Sequence, residues 1–178
     1  ISGVGEVFKT LWIKGGKWDP GALVEFVESG RVSIRLQSLI AACLALKSKV
    51  VERDPLDQRR IREVLNFGHT VGHALESASD LSHGECVLWG MAIESSLLGK
   101  KAAMLKACLQ AIHALGLELP AALLEHTEWE KFLAADKKIN AGKVEMSLLA
   151  SPGKVVRTKA GLPRLAKAIR DFPESFRR

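Results

Sequence analysis

Apolar residues recur along this chain at helical intervals, interrupted by short breaks of glycine, proline or clustered charge. Between Ile1 and Ile13 they fall at Val4, Val7, Phe8, Leu11 and Trp12, the spacing of a helix with one buried side, and Gly15-Gly16 ends it. Asp19-Pro20 supplies an N-cap and a first-turn proline for a second helix that stops at Gly30. Ile34 to Val51 predicts a long third helix running into a polar segment, Lys47 to Arg62, which Pro55 breaks. Val64, Phe67, Val71, Ala74 and Ala78 then define the apolar face of a further helix, and Asp80 to Ser82 read as a turn.

Glu85 to Leu117 is helical in pattern, with Gly90, Gly99 and Gly116 as weak points and small residues that permit close helix packing. Pro120 opens a short helix through Leu124, and Trp129 to Ala135 forms another. Val144 to Leu149 and Lys154 to Thr158 flank Ser151-Pro152-Gly153 as a β-hairpin, and a last helix runs from near Gly161 and Pro163 to about Phe172. The expected fold is mainly α, a multi-helical bundle with one small β-hairpin near the C-terminus. It is read as one domain over residues 1–178, without internal repeats.

The polar positions change the picture most between Leu65 and Glu85, which hold three of the five histidines, His69, His73 and His83. Read as one continuous helix, Arg62, Asn66, His69 and His73 are spaced i, i+4, i+7, i+11 and stack on a single face. An HxxxH pair suits a metal ion, although a helical histidine is also an ordinary hydrogen-bonded residue. His83-Gly84-Glu85 brings a third imidazole from the next element. Catalytic zinc commonly takes three protein ligands and leaves a position open, so two histidines and a carboxylate would complete such a site.

Glu6 and Lys9, at i and i+3 within the apolar first helix, need pairing or coordination, and a surface ion pair on an amphipathic helix answers that need equally well. His113 and His126 lack polar company and read as structural.

At 178 residues and 47% hydrophobic, the chain can bury a core. No apolar run approaches the roughly 18 residues of a membrane span, and no signal peptide is visible. It opens on Ile1 without methionine, which is expected of a piece processed or excised from something longer. Cys43, Cys86 and Cys108 are odd in number and set in apolar pattern, the usage of buried thiols in a reducing cytoplasm. The net charge of +6 is spread along the chain, and Tyr is absent, which argues against a nucleic-acid partner and leaves a solvated basic surface or a pocket for phosphate or carboxylate groups.

Leu65–Glu76, LNFGHTVGHALE, followed by His83-Gly84-Glu85, resembles the signature of the 3-dehydroquinate synthase family of sugar-phosphate cyclases. Gly3–Lys9, GVGEVFK, resembles the segment opening that family's helical C-terminal half, and ADKKINAGKVEMSLL resembles its late lysine segment. The resemblance covers most of the chain in the right order. The family's N-terminal nucleotide-binding domain has no counterpart here.

The resemblance implies metal ligands Glu6, His69 and His83, with His73 facing substrate as a proton relay. It implies that Lys9, Arg62 and Asn66 hold the substrate's carboxylate and hydroxyls, that one of Lys137 and Lys138 approaches its phosphate, and that Lys47 or Lys49 is a further substrate-binding lysine. The family's DExExGxR run is altered: DPLDQRRIR places Gln58 four residues before Arg62, loses the glycine, and by one extra residue offers Asp57 for the acidic role.

The implied reaction is the shikimate-pathway step of aromatic amino acid biosynthesis. A seven-carbon ketosugar-acid phosphate (DAHP) is oxidised by bound NAD, loses phosphate, is reduced again and closes to 3-dehydroquinate. A divalent metal, zinc or alternatively cobalt, would act as a Lewis acid.

NAD is expected only with the N-terminal nucleotide-binding domain of the same protein, because this chain has no GxGxxG pattern. The full-length protein is expected to be a cytoplasmic homodimer. The alternatives are a related cyclase such as a 2-deoxy-scyllo-inosose synthase, a metal-dependent polyol dehydrogenase, or a non-catalytic helical binding module.

Overall fold

The structure is a computed structural model and describes residues 2–15, 21–99, 102–125, 128–135, 139–140 and 142–172. Helices α1 (Ser2–Lys14), α2 (Gly21–Ser29) and α3 (Ile34–Arg53) come first, then a 3-10 turn (Arg62–Asn66), α4 (His69–Ala78), α5 (His83–Ser96) and α6 (Ala103–Ala114). Short helices α7 (Ala121–Leu124) and α8 (Trp129–Ala134) lead to strands β1 (Ile139–Asn140), β2 (Lys143–Ser151) and β3 (Lys154–Gly161), and α9 (Leu162–Arg170) closes the described chain. The mainly helical class and the C-terminal hairpin match the sequence reading. The two-residue strand β1 extends the hairpin to a three-stranded antiparallel sheet of order β1-β2-β3.

The core is built around α5. Eleven of its 14 residues are buried, from Gly84 through Ser95 apart from Glu85, so it is apolar on every side and packs against α1, α4, α6 and α9. Its start is fixed by Glu85, whose carboxylate accepts from the Ser82 backbone N–H at 3.0 Å and from the Ser82 hydroxyl at 2.6 Å. Gly90, read from sequence as a weak point, is a place of close approach. A Cβ there would lie 2.1 Å from the Gly68 carbonyl oxygen and 2.7 Å from the Gly72 nitrogen, so α4 rests on α5 with backbone against backbone. The helical stretch does break at Gly99, between α5 and α6.

The continuous histidine helix expected from the i, i+4, i+7, i+11 spacing is corrected. Arg62–Asn66 forms a 3-10 turn, Gly68 takes φ 81° and ψ −9°, and the α-helix begins only at His69. The expected apolar set nevertheless goes inward: Val64, Phe67, Val71 and Ala74 are buried, while Ala78 is partly so. Phe67, fully buried beside the break, anchors it.

The hairpin is longer than its pattern suggested, with Val144 paired to Ala160 and Leu148 to Val156. It is tied to α1 by the Gly153 N–H, which donates to the Trp12 carbonyl at 2.7 Å. No helix among the described residues is long and apolar enough to cross a membrane.

Candidate metal and substrate site

Three elements meet at one end of the α1–α4–α5 packing. α1 contributes Glu6 and Lys9 on its inward face, α4 contributes His69 in its first turn and His73 one turn later, and α5 contributes His83 as its first residue. One donor atom each from Glu6, His69 and His83 lies within 4.8 Å of the other two, a spacing at which the three could hold one ion. The rings of His69 and His83 are 5.5 Å apart, and His73 completes a cluster at 5.2 Å from His69 and 6.2 Å from His83.

Hydrogen bonds behind the ring nitrogens orient both histidines of this group. His69 Nδ1 is 3.3 Å from the Phe67 carbonyl oxygen, an acceptor only, so Nδ1 carries a hydrogen and Nε2 is the nitrogen turned to the cluster, 3.3 Å from Glu6 Oε1 and 3.4 Å from Lys9 Nζ. His83 Nδ1 is 3.1 Å from Glu76 Oε2, which likewise leaves Nε2 for the cluster. A carbonyl or carboxylate behind the far nitrogen of an imidazole is the arrangement that fixes tautomer and ring orientation at metal sites. The donor set, two imidazoles and a carboxylate, therefore fits a divalent ion of the zinc or cobalt kind.

The cations around Glu6 are as closely placed. Lys9 is only 2% exposed and its ammonium donates to Glu6 Oε1 at 2.6 Å, while Lys47, reaching in from α3, donates to Oε2 at 2.9 Å. Burial by itself would raise the Glu6 carboxyl. The hydrogen bonds from His69, Lys9 and Lys47 and the Lys9 charge outweigh it and hold Glu6 well below the usual carboxylate range. Burial pushes the Lys9 ammonium down from its ordinary value, against the opposing pull of Glu6.

The remaining expected residues lie further out. Arg62, half-buried, opens the 3-10 turn and exposed Asn66 closes it. Lys49 is exposed and, two residues from Lys47 on a helix, points to another side of α3. Lys137, Lys138 and His126 lie outside the described residues.

Asp57 is exposed at φ 54° in the loop before Arg62, where Arg60 also takes a positive φ of 59°. The aspartate that organises this loop is Asp54, which is 3% exposed and accepts the backbone N–H groups of Gln58, Arg59 and Ile61 at 2.9 to 3.1 Å. Burial would raise its carboxyl, and those three bonds outweigh burial to leave it below its ordinary value. Arg60 pairs with Glu63 at 2.6 Å and with Glu145 of β2, and Arg157 of β3 donates to the Arg60 carbonyl at 3.3 Å, latching the loop to the hairpin.

Sequence reasoning missed Asp54, Glu76 and Glu94. Asp54 ends a helix before a proline, a recognisable capping context. Glu76 closes the HALE run one turn beyond His73. Glu94 lies 26 residues from Gly68, whose backbone N–H it accepts, and carries no local signal.

Residues 3–139 match the family described as 3-dehydroquinate synthase C-terminal, and the chain belongs to that family. Among curated relatives, it is 35% identical over 141 residues to a 3-dehydroquinate synthase of Pyrobaculum neutrophilum, covering 76% of this chain and 41% of that protein. It is 30% identical over 181 residues to one of Latilactobacillus sakei, covering 99% and 50%. The chain thus spans about half the length of the curated relatives it matches. Its fold is similar to a 2-deoxy-scyllo-inosose synthase solved with carbaglucose-6-phosphate, NAD+ and Co2+, with a TM-score of 0.70 at 19% identity over 96% of this chain and 50% of that one.

Proposed function

We propose that this chain is the metal- and substrate-binding part of a 3-dehydroquinate synthase, converting DAHP to 3-dehydroquinate with elimination of phosphate in the shikimate pathway. The observation that carries the reading is the convergence of Glu6, His69 and His83 beside a buried, ion-paired lysine. Glu6, His69 and His83 would hold a divalent ion, zinc or cobalt, which when bound supplies Lewis-acid polarisation of a substrate hydroxyl.

Lys9 and Lys47 neutralise Glu6 and turn ammonium groups toward the carboxylate and hydroxyls of a sugar acid. Of the two α3 lysines considered, Lys47 is favoured because its ammonium already reaches the site. His73, exposed beside the other two rings, would carry a proton between substrate and solvent. Arg62 and Asn66 bind substrate from the 3-10 turn, Lys137 or Lys138 takes the phosphate, and Asp57 supplies the acid of the altered loop.

NAD would come with a nucleotide-binding half, within a dimeric cytoplasmic protein. That half would lie against α3, where Ile40, Leu44 and Val51 are exposed in line with Lys47, because this face rims the site and the relatives are about twice as long. Residues 1–178 form a single helical domain in this reading. The fold shared with a 2-deoxy-scyllo-inosose synthase favours, as the second reading, a cyclase acting on a hexose phosphate.

Metal content after dialysis tests the site. Alanine at Glu6, His69 or His83 is expected to weaken binding roughly tenfold or more, and release of metal by His73→Ala but not by His83→Ala overturns the ligand set. Turnover by the chain joined to a nucleotide-binding half decides the substrate: activity on a hexose phosphate and none on DAHP selects the second reading.

A further inference from the structure

The site leaves one buried acid unused. Glu94 lies in the middle of the apolar helix α5, 1% exposed, where an ionised carboxylate is costly unless it is bonded. Its partners include two backbone groups of another element: the Gly68 N–H donates to Oε2 at 2.8 Å and the Val71 N–H to Oε1 at 3.0 Å. Those are the N-cap and N3 amides of α4.

Gly68 has no side chain with which to cap the helix, so Glu94 does from α5 what a Ser or Asp at the N-cap does locally, with its charge at the positive end of the α4 dipole. The residue between the two amides that begins the helix is His69. Its Nδ1 in turn bonds the Phe67 carbonyl, just before the break.

From these contacts we infer that Glu94 is a positioning residue for the Glu6–His69–His83 centre, setting the His69 imidazole through the backbone of Gly68 and Val71. The inference rests on the metal reading proposed above and extends it from ligands to what aims one of them. An N-terminal turn of α4 that could shift or fray would carry His69 with it. The close backbone packing of Gly68 on Gly90 limits its position along α5, and the carboxylate fixes which way its amides face. Such support behind metal ligands commonly changes affinity by about 10- to 100-fold.

Glu94→Gln is the isosteric test. The amide oxygen can accept from one backbone N–H while its NH2 opposes the other. In the metal-free protein, the variant is expected to speed hydrogen exchange at Gly68 and Val71 and to shift the His69 ring nitrogen resonances. In titrations with Zn(II) and Co(II), it is expected to bind about tenfold or more weakly, with an altered Co(II) visible spectrum. Leu165→Ala, on the buried face of α9 and outside the site, should lower Tm without moving the His69 resonances or metal affinity.

If Glu94→Gln does not fold, Glu94→Asp, which keeps the charge and withdraws it by one methylene, serves the same comparison. Unchanged His69 resonances together with unchanged metal affinity in a folded variant overturn the inference. Failure of the wild-type chain to bind either metal overturns the reading beneath it, and the His69 resonances still decide whether Glu94 positions that ring.

Discussion

Two helices supply lysine and histidine to the same cluster and are built in opposite ways. α5 is buried on every side and touches four other helices, whereas α3, at 20 residues the longer, buries only Leu36, Cys43 and Val50. Six of the seven large apolar side chains exposed among the described residues, Val32, Ile34, Ile40, Leu44, Val51 and Leu56, lie on α3 or just beside it. The groups proposed to ligate a metal therefore come from elements with little freedom to move. The second cation on Glu6, Lys47, comes on a flexible stem from a helix held along a narrow stripe. A metal ligand needs its donor within tenths of an ångström, and an ammonium that neutralises a carboxylate does not.

The comparison can be broken most forcefully at the α4–α5 contact. Gly90→Ala places a methyl group 2.1 Å from the Gly68 carbonyl oxygen, a backbone atom that cannot swing aside as a side-chain tip would. The expected cost exceeds ~3 kcal/mol, the upper end for overpacking a core, and urea denaturation measures it. A loss under about 1 kcal/mol would mean that α4 can slide on α5, and that the site's framework is no stiffer than α3.

This contact also marks how far the sequence could be read. The existence and order of the helices, the hairpin and the inward set Val64, Phe67, Val71 and Ala74 were legible because periodicity reports burial directly. The break before His69 was not. Gly68 is one of several glycines within helical pattern and does not by itself mark a break, and the group that restarts the helix, Glu94, lies 26 residues away inside an otherwise apolar run. The convergence of Glu6 with His69 and His83 was suggested by the family resemblance, since the α1 and α4 residues that meet there, such as Lys9 and His69, stand 60 positions apart and no spacing rule spans that distance. Choosing between Lys47 and Lys49 needed the helix face that only packing defines.

The joint between the two regions should show an intermediate, pH-dependent effect. Asp54 ends α3, and its carboxylate organises the loop that leads to the 3-10 turn. Its folded pKa is depressed below the ordinary value of 3.8. Its contribution is then fully present above the unfolded pKa and is lost as the pH falls through that value toward the folded one. Asp54→Asn is expected to lower Tm at neutral pH, and the gap from wild type should shrink in acid below the carboxylate range. A gap that stays constant down to about pH 2 would show that the three N–H bonds do not depend on the charge.

The smallest expected effect lies on the outer face of α3. Leu44 is 63% exposed, on the face shared by Ile40, Lys47 and Val51, and makes no contribution to the core. Leu44→Lys trades an apolar side chain already in water for one of good helix propensity, so the chain's stability should change by no more than about 0.5 kcal/mol. The same substitution in the chain joined to a nucleotide-binding half would bury an ammonium against an apolar partner surface and should weaken the association of the two halves. Denaturation of the chain alone and of the joined protein separates the outcomes. Equal, negligible effects in both would mean that the partner half does not cover α3. A large loss in the chain alone would mean that α3 is held by more than the stripe of Leu36, Cys43 and Val50, and that the contrast with α5 is weaker than the burial pattern implies.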